Sequence, residues 1–299
     1  MAVAATGFFD GVHLGHRAVI ETLLRTARER SEQSLILTFW PHPRTVLRGG
    51  SRDLRLLTSL DEKIALLKGL GVDRIEVLPF TRDFSAMTAR EYLELLSRDY
   101  DVTSIVLGYD NRFGSDGLST EDIAELASGM SLSPAVVSPN VMPDSDRASK
   151  TTDQVGGDYV ISSTKIRRKL AGGEVKAAGE MLGYEYSLSG VVVSGNMMGR
   201  TIGFPTANMK LREPLKCLPG VGAYLSRVEV EGQQLWGMTN IDHNEKIETN
   251  IFDFSDEIYG LDLKVTFIDK LRDEIRFNSF EELKSQLEKD RVAARALIL

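Results

Sequence analysis

Short apolar runs alternate with helical patterns along the first part of the chain. The runs AVAAT, SLILTFW, RIEVLPF and TSIVLG are typical of strands, and SPAVVS is a further candidate. Between them we predict a helix from about Arg17 to Arg30 and two helices that begin at capping boxes, Ser59 with Glu62 and Thr88 with Glu91. Strands that alternate with helices predict an α/β fold with a doubly wound parallel sheet. Such sheets bind ligands beyond the carboxyl ends of their strands.

The pattern changes in the second part, where strand-like runs follow one another without helices. These runs are YSLSGVVVSG, GAYLSRVEVEGQQLWGMTNI, KIETNIFDF and LDLKVTFIDKL, and Glu231-Gly232 is a plausible hairpin turn. Strands of this number and length suit a small antiparallel barrel, which we expect to have six strands. Ser279 and Glu282 predict a capping box at the start of a terminal helix.

The length and composition fit a folded protein with two domains. Of the 299 residues, 42% are hydrophobic and 26% are charged, which is enough apolar material for two cores. We place the α/β domain at residues 1–183 and the barrel at residues 184–299. A polar stretch, residues 140–159, precedes the last helical pattern of the first domain, ISSTKIRRKL.

Charge and cysteine content exclude several classes of partner. The net charge is −7 and the isoelectric point is near 5.3, so we expect no nucleic-acid partner and look for small-molecule substrates. No apolar run approaches the roughly 18 residues of a membrane span, and no signal peptide is evident. Cys217 cannot form an internal disulfide, which predicts a reduced, cytoplasmic setting. The sequence does not indicate an oligomeric state.

Two of the four histidines, His13 and His16, lie three residues apart around Gly15 in the stretch TGFFDGVHLGH. This stretch joins the first predicted strand to the first predicted helix, where backbone N–H groups and the helix dipole favour an anion. A single histidine here would more often cap or pack against the helix. Because both the spacing and the position fit, the pair predicts a phosphate site.

Other stretches follow strand ends or helix starts and predict contacts to the same ligand. WPHPR follows the second strand and carries His42, although it would serve equally as a stiff connector. GYDNRFG follows the fourth strand. ISSTKIR places hydroxyl groups at a helix start with Arg167 one turn later, an arrangement that alone could be an ordinary cap. Together these stretches predict a nucleoside triphosphate site.

GFFDGVHLGH, PHP, GYDNRFG and ISSTKIR resemble the motifs of H-x-G-H nucleotidyltransferases, and specifically the FAD synthetase module. The resemblance implies that the phosphate of FMN attacks the α-phosphorus of ATP and that pyrophosphate leaves. It implies that His13 and His16 hold the ATP phosphates and the transition state, and that Arg167 stabilises the pyrophosphate. It also assigns ATP or phosphate contacts to Gly7, Phe8, Asp10, Gly15, Ser162, Ser163 and Thr164, and flavin contacts to Asp110, Arg112 and Phe113.

The most specific motif of the second part is GRTIGFPTAN. Its glycines, Gly199 and Gly203, allow close approach to a ligand, and Pro205 fixes the chain. Thr206 and Asn208 then present oxygens on one face, which suits Mg²⁺ when phosphates supply the remaining ligands. A β-bulge of small residues would explain the isolated segment equally well.

Glu248 lies in a strand-like run, KIETNIFDF, between apolar neighbours. A carboxylate placed there is a candidate general base for a hydroxyl nucleophile. This run and GRTIGFPTAN resemble the riboflavin kinase module, and the whole chain resembles the bacterial bifunctional riboflavin kinase/FMN adenylyltransferase family. The resemblance implies that Thr206 and Asn208 bind Mg²⁺ with ATP and that Glu248 activates the ribityl hydroxyl of riboflavin. It also makes Arg291 a candidate flavin contact, with a solvated helix charge as the alternative.

Two departures from the family pattern lie on the flavin side of the kinase site. Only the segment DHNEKI separates Ile241 from the ETN run, and Asn250 stands where the family has a histidine. Two alternative functions therefore stay open. One is another H-x-G-H adenylyltransferase, which leaves the barrel unexplained, and the other is a flavin-binding protein with a lapsed kinase site.

Overall fold

In a computed structural model, residues 1–47, 54–139, 141–143, 154–155, 158–195 and 198–298 are described. The chain divides into two compact units, Met1–Ser163 and Thr164–Leu299. Most of the polar stretch at residues 140–159 lies outside the described residues.

The first unit is built around a five-stranded sheet with the order β3-β2-β1-β4-β5, in which every pair of neighbouring strands is parallel. The predicted doubly wound α/β sheet is confirmed. Its elements are β1 Ala2–Thr6, α1 Leu14–Arg30, β2 Gln33–Trp40, α2 Pro43–Leu47, α3 Leu60–Gly69, β3 Arg74–Pro79, α4 Arg82–Ala86, α5 Ala89–Tyr100, β4 Val102–Gly108, α6 Thr120–Gly129 and β5 Ser133–Val137.

Helices cover both faces of this sheet because its central strand is apolar on both sides. Ala4 of β1 points into a core completed by Leu93 of α5, whereas Ala5 points into a second core completed by Leu23 of α1 and Leu67 of α3. Alternate side chains of a strand face opposite ways, so a fully buried strand must be apolar throughout. The first four residues, AVAA, meet that requirement. The buried Thr6 ends the strand beside the predicted ligand crevice, and its hydroxyl pairs with that of Tyr92 at 2.7 Å.

Two helices of this unit begin at the predicted capping boxes, and a third begins earlier than predicted. The boxes of Ser59 with Glu62 and of Thr88 with Glu91 are both present and open α3 and α5 as predicted. Helix α1 begins at Leu14 rather than near Arg17, because the imidazole of His13 caps it by accepting from the backbone N–H of His16.

A small three-stranded sheet and two helices follow along the chain. The strand order of the small sheet is β6-β8-β7, and both strand pairs are antiparallel. These elements are β6 Val141–Pro143, β7 Gln154–Val155, β8 Asp158–Val160, α7 Ser163–Ala171 and α8 Val175–Leu182.

The second unit contains a closed barrel with the order β10-β13-β12-β11-β14-β9, in which all neighbours are antiparallel. The predicted six-stranded barrel with a terminal helix is confirmed. Glu231 and Gly232 form the predicted two-residue turn, with φ values of 49° and 77°. The elements are β9 Ser187–Val193, α9 Met198–Thr201, β10 Ala207–Leu211, β11 Gly222–Val230, β12 Gln233–Ile241, β13 Ile247–Ile251, β14 Asp262–Arg272 and α10 Phe280–Ala296.

The terminal helix α10 packs on the outside of the barrel. Ala294 shares an apolar cluster with Leu225 and Met238, and Asp290 forms an ion pair with Arg272 of β14 at 2.8 Å. Its start differs from the prediction, since Ser279 accepts from the backbone of Glu282 but the Glu282 carboxylate accepts from Asn278 instead of Ser279. Glu282 reaches one residue further back, so the predicted capping box is only half formed.

The second unit contains α8 and all of α7 except its first residue, Ser163, whereas the predicted functional boundary lies between residues 183 and 184. That functional boundary stays a prediction. In the described part of the chain, no helix is long and apolar enough to cross a membrane.

Candidate active sites

The loop between β1 and α1 has an unusual backbone. Phe9 and Val12 have φ values of 49° and 39°, and Gly11 between them has a φ of 83°. Left-handed backbone is costly for a buried β-branched residue such as Val12, so neighbouring contacts must hold the loop in place. Such strain is most often found where a loop presents groups to a ligand.

Asp10 supplies the main anchor of this loop. Its buried carboxylate accepts from the backbone N–H groups of Leu57 and Thr58, at 2.9 and 3.1 Å. Gly11 donates to the Thr58 hydroxyl at 3.0 Å, and Ser163 donates to the carbonyl of Asp10 at 3.0 Å. These contacts give Asp10 a structural role, and its expected contact to phosphate stays a prediction. They also bring Ser163 to the loop although 153 positions separate it from Asp10.

The two histidines stack on each other at the start of α1. Their ring centroids are 3.6 Å apart and their planes differ by 15°. Because Nδ1 of His13 accepts from the backbone of His16, a neutral His13 carries its hydrogen on Nε2. A side chain at Gly15 would approach the His13 ring to 3.2 Å, so a small residue suits that position.

His16 is held in its neutral form. Burial, followed by the nearby charges of His13 and Lys63, lowers the pKa of His16 well below its ordinary value of 6.5. Its Nδ1 atom is buried and, among the described residues, has no hydrogen-bond partner. A buried polar atom without a partner is uncommon in folded proteins and is expected where a ligand binds.

An aromatic cavity of about 350 Å³ opens beside this loop, at the carboxyl ends of the parallel strands. Four predicted residues line it, namely Gly7, Phe8, Arg112 and Phe113, whereas Asp110 is exposed and is not part of its wall. Asn111 shapes the turn instead, accepting from Gly108 at 2.6 Å and donating to the carbonyl of Thr6 at 3.1 Å. Sequence reasoning missed the aromatic residues Phe39, Phe80, Phe84 and Tyr92.

A signal for these aromatic residues was present in the sequence. Phe39 lies near the carboxyl end of β2, and Phe80 directly follows β3. Since the carboxyl ends of parallel strands meet at one edge of the sheet, aromatic residues there predict a shared apolar wall. The wall is continuous, with Phe39 and Phe80 6.0 Å apart and Tyr92 and Phe113 5.2 Å apart between ring centroids.

The remaining predicted phosphate contacts surround the start of α7. Ser162 precedes this helix, Ser163 begins it, and Thr164 and Arg167 lie in its first turns. Thr164 and Arg167 fall in the second unit, so their contacts with the ATP site stay predictions.

In the barrel, the metal candidate Asn208 and the base candidate Glu248 lie in one row. Asn208 of β10 is directly opposite Glu248 of β13, which is directly opposite Asn240 of β12. Directly opposed residues point to the same side of a sheet, so Glu248 lies between two side-chain amides. The neighbouring positions Ala207 and Thr249 point the other way and are buried.

A second cavity, of about 430 Å³, lies next to this row. Pro205 and Thr206 line it, together with Thr249 and the segment at residues 254–259. Asn208 and Glu248 are not part of its wall. Thr206 lines this cavity, and it lies two residues before Asn208 in the GFPTAN segment.

Gly199 and Gly203 shape the turn before this segment. The backbone N–H of Phe204 donates to the Gly199 carbonyl at 2.8 Å, and a Cβ atom at Gly199 would collide with the carbonyl of Phe204. Gly203 has a φ of 84°, which side chains rarely adopt. Asn250 fixes the other end, donating to the carbonyl of Pro205 at 2.7 Å.

Both parts of the chain match known protein families. The FAD synthetase family model matches residues 1–152, and the riboflavin kinase model matches residues 182–298. A bifunctional riboflavin kinase/FMN adenylyltransferase from Listeria monocytogenes is 36% identical over 98% of this chain and 91% of its own length. The Bacillus subtilis protein of the same description is 34% identical with the same coverage.

The chain belongs to the bifunctional riboflavin kinase/FMN adenylyltransferase family. A solved structure, described as a macrolide-efflux protein from Streptococcus pneumoniae, has 31% identity and a TM-score of 0.86 to this chain. It covers 98% of this chain and 93% of its own. The riboflavin kinase match makes another H-x-G-H adenylyltransferase an insufficient description of the chain, because that alternative does not account for the barrel.

The two departures from the family pattern have defined structures here. The short segment after Ile241 is a closed turn, in which the Asp242 carboxylate accepts from the backbones of Asn244 and Lys246, both at 2.8 Å. Asn250 holds the Pro205 carbonyl, as described above. Arg291 is exposed, and its guanidinium lies 4.9 Å from the centre of the Phe204 ring, so it contacts the glycine turn. Its expected contact with flavin stays a prediction.

Proposed function

We propose that this protein carries out both reactions of its family. It phosphorylates riboflavin to FMN with ATP, and it transfers the adenylyl group of ATP to FMN, which gives FAD and pyrophosphate. The observation that carries the proposal is that each matched family model coincides with a fold that has its own cavity and its own set of polar side chains.

The adenylyl transfer takes place at the loop between β1 and α1. The isoalloxazine ring of FMN fits the aromatic cavity, where stacking on aromatic side chains is favourable. The FMN phosphate oxygen attacks the α-phosphorus of ATP in line, and the bond to the pyrophosphate oxygen breaks. His13, through the hydrogen on its Nε2, and neutral His16 donate hydrogen bonds to the phosphate oxygens, as do the N-terminal N–H groups of α1. Ser163, which bonds to the loop, stabilises the charge on the departing pyrophosphate, and the same role for Thr164 and Arg167 stays an expectation from the family resemblance.

Phosphorylation of riboflavin takes place at the barrel. Glu248 accepts the proton of the terminal ribityl hydroxyl, whose oxygen then attacks the γ-phosphorus of ATP while ADP leaves. Asn208 and Asn240 flank Glu248 on the same side of the sheet. The nucleotide binds at the GFPTAN segment, with the turn from Gly199 to Phe204 forming a lip over it.

The donor set at the barrel fits Mg²⁺ that arrives with a nucleotide. Among the described residues, no group of three His, Cys, Asp or Glu side chains could hold a metal ion. Thr206 and Asn208 would contribute one hydroxyl and one amide oxygen, and phosphates and water would supply the remaining ligands. When bound, Mg²⁺ neutralises phosphate charge during transfer.

The cysteine content bears on the cellular setting. Cys217 is the single cysteine, and it is buried, so the chain forms no internal disulfide. We therefore propose a cytoplasmic enzyme that needs no oxidising compartment. The absence of a nucleic-acid partner stays an expectation from net charge.

One pair of variants separates the two reactions. We expect His16→Ala to abolish conversion of FMN to FAD and to leave conversion of riboflavin to FMN intact. We expect Glu248→Gln to do the opposite, because the amide cannot accept the proton. Both rates are measured by chromatography of the flavins. Equal loss of both activities in either variant would contradict two separate sites.

A further inference from the structure

A lysine side chain lies inside the first unit, beneath the loop that carries the histidines. Lys63 of α3 has no exposed surface, which is rare because burial of an ammonium group is costly. No carboxylate among the described residues lies within ion-pair distance of it. Its one hydrogen bond in this part of the chain goes to the hydroxyl of Thr38, at 3.2 Å. We therefore expect Lys63 to have a functional role, because an apolar side chain would fill the same space at a lower cost in folding free energy.

The contacts of Lys63 lead directly to Phe8. Its Nζ atom lies 3.9 Å from the centre of the Phe8 ring, a cation–π contact. The Thr38 hydroxyl that accepts from Lys63 donates in turn to the carbonyl of Phe8, at 3.3 Å. Lys63 thus holds both the ring and the backbone of Phe8, which forms part of the aromatic cavity wall and immediately precedes the left-handed Phe9.

The charge of Lys63 also acts on the phosphate site. It is one of the groups that lower the pKa of His16, and the Asp10 carboxylate acts on Lys63 in the opposite sense. His16 from α1 and Asp10 from the loop are thus the charged or titratable groups coupled to the ammonium. In a site shielded from water, a fixed positive charge stabilises the negative charge of phosphates strongly.

We propose that Lys63 is a positioning residue for adenylyl transfer, which fixes Phe8 at the wall of the flavin cavity and maintains a positive charge under the phosphate-binding loop. The inference rests on the proposed function of this site. Because the side chain is fully buried, it acts through Phe8 and through its charge rather than by touching substrate.

The test compares Lys63→Met with Lys68→Met, an exposed lysine of the same helix. In Lys63→Met we expect the kcat for FAD formation from FMN to fall about 10- to 100-fold, a loss typical of misplaced reacting groups. Melting temperature should stay equal or rise, because a buried charge is removed. Formation of FMN from riboflavin is the internal control, and Lys68→Met should match the unchanged protein in both reactions.

Wild-type kcat for FAD formation in a folded Lys63→Met protein would overturn the inference. Failure of the unchanged protein to make FAD would instead contradict the proposed function, so the two failures are distinguishable.

A pH profile of the unchanged protein tests the charge without any variant. Burial lowers the pKa of Lys63 to about 8, so raising the pH through that value removes the charge. The rate of FAD formation, divided by the rate of FMN formation, should fall above about pH 8 in the unchanged protein and stay flat in Lys63→Met. If this ratio of rates does not change with pH in the unchanged protein, the role of the Lys63 charge is contradicted, even if Lys63→Met fails to fold.

Discussion

Asn250 holds the backbone next to Thr206, a predicted metal ligand. Its side chain is 8% exposed, and its amide nitrogen donates to the Pro205 carbonyl across two paired strands. That bond fixes the backbone immediately before Thr206, which lines the second cavity. We therefore expect Asn250 to position the GFPTAN segment.

We expect Asn250→Ala to lower the rate of riboflavin phosphorylation by roughly tenfold. The reason is that loss of this bond leaves a carbonyl without its partner, at a cost of about 1–3 kcal/mol, and frees the segment that carries Thr206. Steady-state kinetics with riboflavin and ATP would measure the effect, with FAD formation from FMN as the internal control. The exposed Asn244→Ala is the matched variant. Unchanged phosphorylation in Asn250→Ala would show that the bond is dispensable.

The sequence alone could not reveal this contact. It identified Asn250 as a departure from the family pattern, but Pro205 and Asn250 are 45 positions apart and meet only because β10 pairs with β13. Strand order in a barrel is a tertiary property, which local patterns do not encode. Thr206, Asn208 and Glu248 were found as candidates from residue chemistry, whereas the Asn208–Glu248–Asn240 row required the register.

At the scale of elements, most predictions that rest on a local signal succeeded, although the equally local capping box at Ser279 is only half formed. The capping boxes of α3 and α5 and the turn at Glu231-Gly232 depend on residues within four positions of one another, and all were correct. The start of α1 was placed three residues late, because an imidazole cap is not part of the usual Ser, Thr, Asp and Asn signature.

Helix α3 shows why the buried lysine was missed. Lysine is normally exposed, so its presence in a helix suggests the solvent face. Lys63 is nevertheless four residues before the buried Leu67, and residues four apart share a helix face. The helical period therefore contained the signal, but residue type argued against it.

Burial of Lys63 also predicts how stability of the first unit depends on pH. Its pKa is about 8 in the folded chain, against an ordinary value of 10.5. The unfolded chain therefore binds more protons between these values, so the free energy of unfolding should rise as pH increases from about 8 to 10.5. Over this pH range, the free energy of unfolding of the unchanged protein should increase by roughly 3 kcal/mol relative to that of Lys63→Met.

Urea denaturation measures this difference at each pH. A Trp236→Phe background leaves Trp40 as the remaining tryptophan, so its fluorescence reports on the first unit. Lys63→Met should be the more stable protein near pH 7, and its advantage should shrink as the pH rises. A stability difference that is independent of pH would contradict the shifted pKa.

At the scale of the whole molecule, the order of elements was sufficient to predict both folds. Alternating strands and helices gave the parallel sheet, and uninterrupted strands gave the barrel. The aromatic cavity was only partly predicted, since Phe8 and Phe113 belong to recognised motifs but Phe39, Phe80, Phe84 and Tyr92 come from separate elements. Their convergence depends on the strand order of the sheet, as the polar row depends on the register of the barrel.

The central claim is that one chain performs both flavin reactions in sequence. The most direct measurement incubates the protein with riboflavin, ATP and Mg²⁺ and follows the flavins by chromatography over time. We predict that FMN forms first and that FAD follows as FMN is consumed. Conversion of added FMN to FAD without any use of riboflavin would indicate a lapsed kinase site in the barrel. If neither FMN nor FAD forms, the proposed function is contradicted.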